Sequence, residues 1–188
     1  IAGEVHSVGR LADGTTVIGE CGARKIHRVG AKGKPSGPPL VIQSDTKNAH
    51  RHMRNFRVLD NGNYLVCHEG DSRVREYDPK GKVVLELKTP TPFCALRLKN
   101  GGTLVSGGPG KIKITEFDKD RKVVWQLKSR DLKGIKMGYA AGLQLLDSGN
   151  IVLCNHSHGK GLSPLLEITR DKKLAWSFDD KEMKEVSS

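Results

Sequence analysis

The sequence has few aromatic residues and no long apolar run, and each shortage excludes a class of protein. Aromatic residues make up 5% of the 188 residues, too few for the stacking surface of a protein that binds single-stranded nucleic acid. No stretch of about 18 apolar residues occurs, so we expect no transmembrane helix and no membrane partner. Residues 1–10 also lack the basic start and apolar core of a signal peptide.

Cysteine is scarce as well, and its spacing disfavours two kinds of cross-link. Cys21, Cys67, Cys94 and Cys154 form no Cys-x-x-Cys pair, which argues against a zinc knuckle and against a dense disulfide framework. Most of them lie at or just after the end of a predicted strand, where a small buried side chain would pack. We therefore expect unpaired structural thiols.

The net charge is +11, which raises the question whether the protein binds nucleic acid. The basic residues recur in turns, at the same point of each of four sequence repeats, rather than in one stripe. They are Lys32 and Lys34, Lys80 and Lys82, Lys119, Arg121 and Lys122, and Lys172 and Lys173. We interpret them as a solvated rim and do not expect a nucleic-acid partner.

Four polar turns come into register when the sequence is compared with itself. Their glycines are Gly14, Gly62, Gly101 and Gly149. Asn-Gly or Asp-Gly between short apolar runs predicts a hairpin with a type I′ turn. A second polar turn follows downstream in every copy, again between strand-like runs. Each copy therefore predicts four short antiparallel strands, the pattern of a β-propeller blade.

The repeats predict an all-β protein, a β-propeller of four-stranded antiparallel blades that extends over residues 1–188. The blades are expected at approximately residues 4–44, 53–90, 93–129 and 139–180. Four visible repeats allow two arrangements: a small ring, or part of a larger ring that further blades or self-association with a second copy would complete.

The blade endings carry a family resemblance. Glu76 to Val84 and Phe117 to Trp125 resemble the Asp-x-x-Gly-Lys-x-x-Trp ending of quinoprotein-dehydrogenase-like and arylsulfotransferase-like propellers, and Trp176 completes it in the last copy. The run from Leu59 to Leu65 is similar to the repeat of uncharacterised bacterial members. The resemblance implies a ring of about six to eight blades and a periplasmic or extracellular location.

The resemblance is specific for the fold and carries little information about chemistry, because such repeats occur in enzymes, scaffolds and sensors. A quinone cofactor is not expected, since it needs a tryptophan floor inside the channel. Trp125 and Trp176 instead lie on predicted outer strands, where we expect them to pack between blades. No catalytic residue can be assigned by matching motifs.

One face of the predicted propeller collects histidines. Loops between second and third strands share that face with the blade-to-blade connections, and function usually occupies it. The candidate ligand-binding residues on this face are His50, His52, Arg54, His68, Glu69, Arg73, Asn155, His156 and His158.

Three interpretations of this face stay open. The pairs His50-x-His52 and His156-x-His158, with His68, are candidate ligands of a divalent metal. Arginines and lysines at the same face (Arg51, Arg54, Arg73 and Lys160) would suit an anionic ligand such as a carboxylated or sulfated sugar. The third interpretation is a set of polar loop residues with no ligand. A Cys67–His68 nucleophile is disfavoured because neighbours on a strand point to opposite faces.

The sequence therefore favours a module that binds a small anionic or carbohydrate ligand or a protein partner. An enzyme that acts on a sugar or a sulfate ester, with or without a metal, is the alternative. The two differ in geometry, since an enzyme would gather an acid, a base and a cation around one substrate atom.

Overall fold

The computed structural model describes residues 4–156 and 163–179. Strands β1 to β16 form four four-stranded antiparallel sheets in this part of the chain, each from four consecutive strands. The protein is therefore all-β and built from β-propeller blades, as the repeats predict. No helix among the described residues is long and apolar enough to cross a membrane.

The chain divides into two compact units, Ile1–Pro92 and Phe93–Ser188. In the first unit, blade 1 consists of β1 (Val5–Arg10), β2 (Thr16–Glu20), β3 (Lys25–Val29) and β4 (Leu40–Val41). Blade 2 consists of β5 (Phe56–Val58), β6 (Tyr64–His68), β7 (Arg73–Tyr77) and β8 (Val83–Lys88). A short 3-10 helix, Ala49–Arg51, lies in the connection between them.

The second unit repeats this arrangement. Blade 3 consists of β9 (Pro92–Arg97), β10 (Thr103–Gly107), β11 (Ile112–Phe117) and β12 (Val123–Lys128), and β9 begins on the last residue of the first unit. Blade 4 consists of β13 (Tyr139–Leu145), β14 (Ile151–His156), β15 (Leu165–Ile168) and β16 (Leu174–Phe178). A second 3-10 helix, Ser129–Asp131, connects the two blades.

The first turn of each blade is a hairpin, but not of the predicted type I′. In blade 2 the Gly62 N–H donates to the Leu59 carbonyl at 2.8 Å, and Gly62 has a φ of +81°. Asp60 and Asn61 keep negative φ, whereas a type I′ turn needs positive φ at both central residues. The loop is one residue longer than a type I′ loop, and its glycine closes it in the left-handed conformation.

Two cores fill the units, and each consists mainly of side chains from the central strands. The first contains Val17, Ile26, Met53, Phe56, Tyr64 and Tyr77, whereas the second is largely aliphatic, with Leu104, Ile114, Leu127, Leu153 and Leu166. None of the four cysteines forms a disulfide, and Cys21, Cys67 and Cys94 are buried. The prediction that the thiols are not cross-linked is confirmed.

An asparagine–glutamate pair recurs beside the first turn. Asn63 Nδ2 donates to Glu76 in blade 2, and Asn150 Nδ2 donates to Glu167 in blade 4, each at 2.6 Å. Blade 3 has Gly102 in place of the asparagine, and there Glu116 accepts a hydrogen bond from an arginine of blade 4. Polar residues of the repeat thus tie the turns to the third strands.

The two tryptophans differ in their surroundings. Trp125 of blade 3 is half-buried, its Nε1 donates to the Arg170 carbonyl at 3.0 Å, and the Arg170 guanidinium lies 4.6 Å from the ring centre. Trp176 of blade 4 is 47% exposed, so the prediction that it packs between blades is wrong. Among the described residues, no later blade offers Trp176 the turn that Arg170 offers Trp125.

Candidate functional site

Polar side chains from six separate places converge in the first unit, and we call them the Glu4–Glu69 cluster. Strand ends and the 3-10 helix of the connection supply all of them. They are Glu4 just before β1, His6 in β1, Cys21 just after β2, His50 and Arg51 in the 3-10 helix, Arg54 before β5, and Glu69 after β6.

A chain of hydrogen bonds runs through the cluster. Arg54 Nη1 donates to His50 Nε2 at 2.8 Å, and Arg54 Nε donates to the Glu69 carboxylate at 2.5 Å. Because His50 Nε2 accepts, its proton lies on Nδ1, which donates to the Glu4 carboxylate at 2.8 Å. This hydrogen bond from His50 lowers the pKa of the Glu4 carboxyl.

Two guanidinium groups share one buried carboxylate. Arg51 Nε lies 3.1 Å from one oxygen of Glu69, and Arg54 holds the other oxygen. The Glu69 side chain is 6% exposed, whereas those of Arg51 and Arg54 are 38% and 19% exposed. Arg51 Nε is itself buried, and its contact with Glu69 is an ion pair that lacks the geometry of a hydrogen bond.

Backbone contacts hold the loops of the cluster in place. The Gly70 N–H donates to the Arg51 carbonyl at 2.9 Å, and the Arg54 N–H donates to the Cys67 carbonyl at 2.9 Å. A Cβ at Gly70 would lie 2.5 Å from the Thr46 side chain. Only glycine therefore lets the loop after β6 come this close to the connection between blades 1 and 2. The arginines therefore stand on a rigid support.

His6 and Cys21 line the inner side of the cluster. His6 Nδ1 donates to the Met53 carbonyl at 2.8 Å, and its Nε2 lies 3.4 Å from the Glu4 carboxylate. Cys21 Sγ lies 3.0 Å from both the Ala49 and the Met53 carbonyl. Burial lowers the pKa of His6 and raises the pKa of the Cys21 thiol.

Two predicted ligands, His52 and His68, lie in the interior behind this cluster. His68 Nδ1 donates to the His52 carbonyl at 2.7 Å, and its Nε2 lies 2.9 Å from the Tyr77 hydroxyl. Burial lowers the pKa of His68 to about 4. The ring nitrogens of His52 lie 3.3 Å and 3.0 Å from the carbonyls of Cys21 and Thr46. Both histidines therefore have internal partners at each nitrogen.

The remaining predicted residues lie away from the cluster or outside the described residues. Arg73 pairs with Glu86 at 3.2 Å. In the second unit, Asn155 is buried and accepts the Gly138 N–H at 2.9 Å, while His156 stacks edge-on against a tyrosine. His158 and Lys160 lie outside the described residues. The structure thus brings His50, Arg54 and Glu69 together and puts Asn155 and His156 in another unit.

Sequence reasoning missed three members of the cluster, Glu4, His6 and Cys21. Glu4 and His6 are two residues apart, but Cys21 joins them only through the β1–β2 hairpin, where its N–H donates to the Glu4 carbonyl. Counting that hairpin's register outward from its turn would pair His6 with Glu20 and so bring this end of β1 near Cys21, but the observed pair is Val5 with Glu20, because the register shifts between Val5 and Ser7. Histidine spacing alone carries no such information.

A buried lysine in the second unit was also missed. Lys113 is 3% exposed, and its Nζ donates to the carbonyls of Gly108 and Gly138. Burial lowers the pKa of this amine. The interpretation of lysines as a solvated rim does not apply to Lys113, because it lies in β11 and not in a turn.

Comparison with known proteins supports the fold and leaves the activity open. No protein-family model matches the sequence, and no curated protein matches it. A protein of unknown function from Bacteroides caccae is similar in structure, with 27% identity and a TM-score of 0.83, over 96% of this chain and 69% of that one.

Two enzymes are similar at lower identity. A streptogramin B lyase has 15% identity and a TM-score of 0.67 over 93% of this chain, and hydrazine synthase from Kuenenia stuttgartiensis has 15% identity and a TM-score of 0.70 over 95%. The chain spans about half the length of these two proteins, 54% and 49%. Together the similarities show that the chain has the β-propeller fold.

Proposed function

We propose that this chain is a β-propeller binding module that takes a small anionic ligand at the Glu4–Glu69 cluster. The observation that carries the proposal is the sharing of one buried carboxylate, Glu69, by the guanidinium groups of Arg51 and Arg54. A partly buried cation that lacks its own counter-charge is costly, and an anion from solution would supply that charge.

The local charges favour Arg51 as the residue that meets the ligand. Glu69 can neutralise one guanidinium, and the other nearby carboxylate, Glu4, contacts the neutral ring of His50, which stands between it and Arg54. Arg51 is the more exposed of the two arginines, and its Nε meets Glu69 without the geometry of a hydrogen bond. A planar guanidinium binds a carboxylate or sulfate through two parallel hydrogen bonds.

Rigidity supports binding at this place. The hydrogen bond from Gly70 to the Arg51 carbonyl fixes the 3-10 helix against the loop after β6, and the Asp71 carboxylate accepts the N–H groups of Asp45 and Thr46. A ligand that meets preorganised arginines loses little free energy to ordering of the loops. Carboxylated and sulfated sugars are the ligand class that we propose.

The alternative, an enzyme that acts on a sugar or a sulfate ester, has weaker support. Glu4, His50, Arg54 and Glu69 hydrogen-bond to one another, which suits a fixed binding surface better than a set of reacting groups. The lyase and hydrazine synthase are 15% identical to this chain, too distant for their activities to be transferred. Membership of the quinoprotein-dehydrogenase-like superfamily likewise stays a sequence-based proposal.

The test is isothermal titration calorimetry with glucuronate, a sulfated glucose and neutral glucose, at low and high salt. We expect the two anionic sugars to bind, more weakly at high salt, and glucose not to bind. Arg51→Met should weaken the binding of the anionic sugars by about tenfold or more, the contribution expected of one charge-assisted pair of hydrogen bonds.

A matched control distinguishes the effect of the charge at Arg51 from the effect of the protein's overall positive charge. Arg130→Met removes one positive charge from an exposed position in the second unit and should leave the affinity unchanged. Equal affinity for glucose and glucuronate, or an equal effect of both substitutions, would contradict the proposal.

A further inference from the structure

Three donor atoms of different chemistry converge within the Glu4–Glu69 cluster. A carboxylate oxygen of Glu4, Nε2 of His6 and Sγ of Cys21 all lie within 4.8 Å of one another. The Glu4 oxygen and His6 Nε2 are 3.4 Å apart. Two ligands of a tetrahedral zinc ion stand at about this distance, since Zn–N and Zn–O bonds are both about 2.1 Å long.

The hydrogen bonds around the donors orient them as metal ligands. His6 donates its Nδ1 proton to the Met53 carbonyl, so the lone pair of Nε2 is left on the side of Glu4 and Cys21. Histidines that bind metals usually have such a carbonyl partner at the other nitrogen. His50 donates to the Glu4 carboxylate and holds it in place, again from outside the group of donors.

Cys21 is positioned by backbone rather than by chance packing. Its N–H donates to the Glu4 carbonyl at 2.8 Å, and the Met53 N–H donates to its sulfur at 3.3 Å. The three donors are therefore linked through the backbone of β1, the end of β2 and the connection before β5. The exposed Glu4 side chain, at 53%, is the one that can move to complete the geometry.

We propose that Glu4, His6 and Cys21 bind one divalent transition-metal ion of the zinc type. A thiolate, an imidazole and a carboxylate together suit Zn²⁺, whereas Ca²⁺ and Mg²⁺ take oxygen ligands only. Three protein ligands leave the fourth tetrahedral position to water, the arrangement found where a metal ion also contacts a ligand. This set shares no residue with the metal ligands that the histidine spacing predicts.

The test uses the purified chain, stripped with a chelator and then titrated with Co²⁺ or Zn²⁺ in the absence of any sugar. We expect one metal ion per chain by elemental analysis and, with Co²⁺, the absorption band of charge transfer from a thiolate. Cys21→Ala should abolish the band, and His6→Gln should weaken binding by about tenfold or more.

Matched controls keep the result interpretable if a variant is less stable. Cys67→Ala removes an equally buried thiol, and His27→Gln removes a histidine that lies 2.7 Å from a carboxylate, that of Glu20. Both should keep the band. Circular dichroism confirms that each variant is folded, and wild-type protein that binds Co²⁺ without a thiolate band would overturn the proposal.

The metal site and the anion site can fail separately. Sugar binding is measured on chelator-treated protein and depends on Arg51, whereas the thiolate band depends on Cys21 and needs no sugar. Loss of one signal with retention of the other assigns the failure to one of the two sites.

Discussion

The Tyr77 hydroxyl lies 2.9 Å from Nε2 of His68, in the solvent-shielded interior of blade 2. His68 donates its Nδ1 proton to the His52 carbonyl, so its Nε2 accepts the Tyr77 proton. The same hydroxyl accepts the Gln43 N–H at 3.2 Å. These bonds connect β6, β7 and the chain after β4 through a single buried histidine.

Removing that hydroxyl should destabilise the fold. Tyr77→Phe leaves His68 Nε2 and the Gln43 N–H without their partner, and a buried unsatisfied polar group costs about 1 to 3 kcal/mol. Urea denaturation gives the change in the free energy of unfolding. Tyr64→Phe is the control, since the Tyr64 hydroxyl bonds to a half-buried arginine, Arg28, and its loss should cost less than about 1 kcal/mol. Equal losses would contradict a special role for His68.

Stability should fall as the pH is lowered from about 6.5 to about 4, because of His68. Its pKa is about 4 in the folded protein and about 6.5 when unfolded, so the unfolded state binds more protons in this window. The contribution is complete above pH 6.5 and decreases toward pH 4, by up to about 3 kcal/mol. Urea denaturation across this pH range measures it.

A variant that lacks only His68 separates the effect of His68 protonation on stability from that of the carboxylates. His68→Gln should be less stable at neutral pH but should show a shallower pH dependence between 6.5 and 4. If the His68 variant kept the wild-type pH dependence of stability, a group other than His68 would be responsible for it.

Trp125 and Trp176 provide a matched pair of outer-strand tryptophans. Trp125→Ala removes a half-buried ring that packs on the second core and on Arg170, and we expect a cost of about 2 to 4 kcal/mol. Trp176→Ala should cost less than about 1 kcal/mol, because its ring is largely exposed. Thermal and urea unfolding compare them, and a larger loss for Trp176 would contradict the structure.

Glycine is required in the first turns for its backbone conformation. Gly101 has a φ of +83°, and Gly101→Ala should cost about 1 to 2 kcal/mol although its Cβ would have room. Gly110 lies in the loop between β10 and β11, has no positive φ, and an added Cβ there would meet nothing within 4 Å. Gly110→Ala should therefore change the free energy of unfolding by less than about 0.5 kcal/mol. If Gly101→Ala left the free energy of unfolding unchanged, the proposed backbone strain at this position would be refuted.

The blades could be predicted from the sequence because each depends on local features. Short apolar runs, a glycine between them and a polar turn recur in each copy, and each feature acts over a few residues. The turn type was wrong because the Leu59 to Asn63 loop contains one residue more than the dipeptide signal suggests. The prediction that Trp176 packs between blades was wrong because packing depends on a neighbouring element and not on the position within the repeat.

The candidate site was predicted only in part. His50, Arg54 and Glu69 were expected at one face, and they lie together. The interior positions of His52 and His68 could not be predicted, because alternation along a strand does not say which loops will fold over it. Glu4 and His6 are two residues apart, but Cys21 reaches them across a hairpin, and no local spacing links it to them.

By itself, the sequence determined the repeat, the all-β class and the strand order within each blade, since these follow from periodicity and turn chemistry. Only the tertiary structure decided that Arg51 and Arg54 share Glu69 and that Cys21 lies beside Glu4 and His6. Contacts of this kind join residues far apart in the chain, and they depend on how loops pack once the strands have paired.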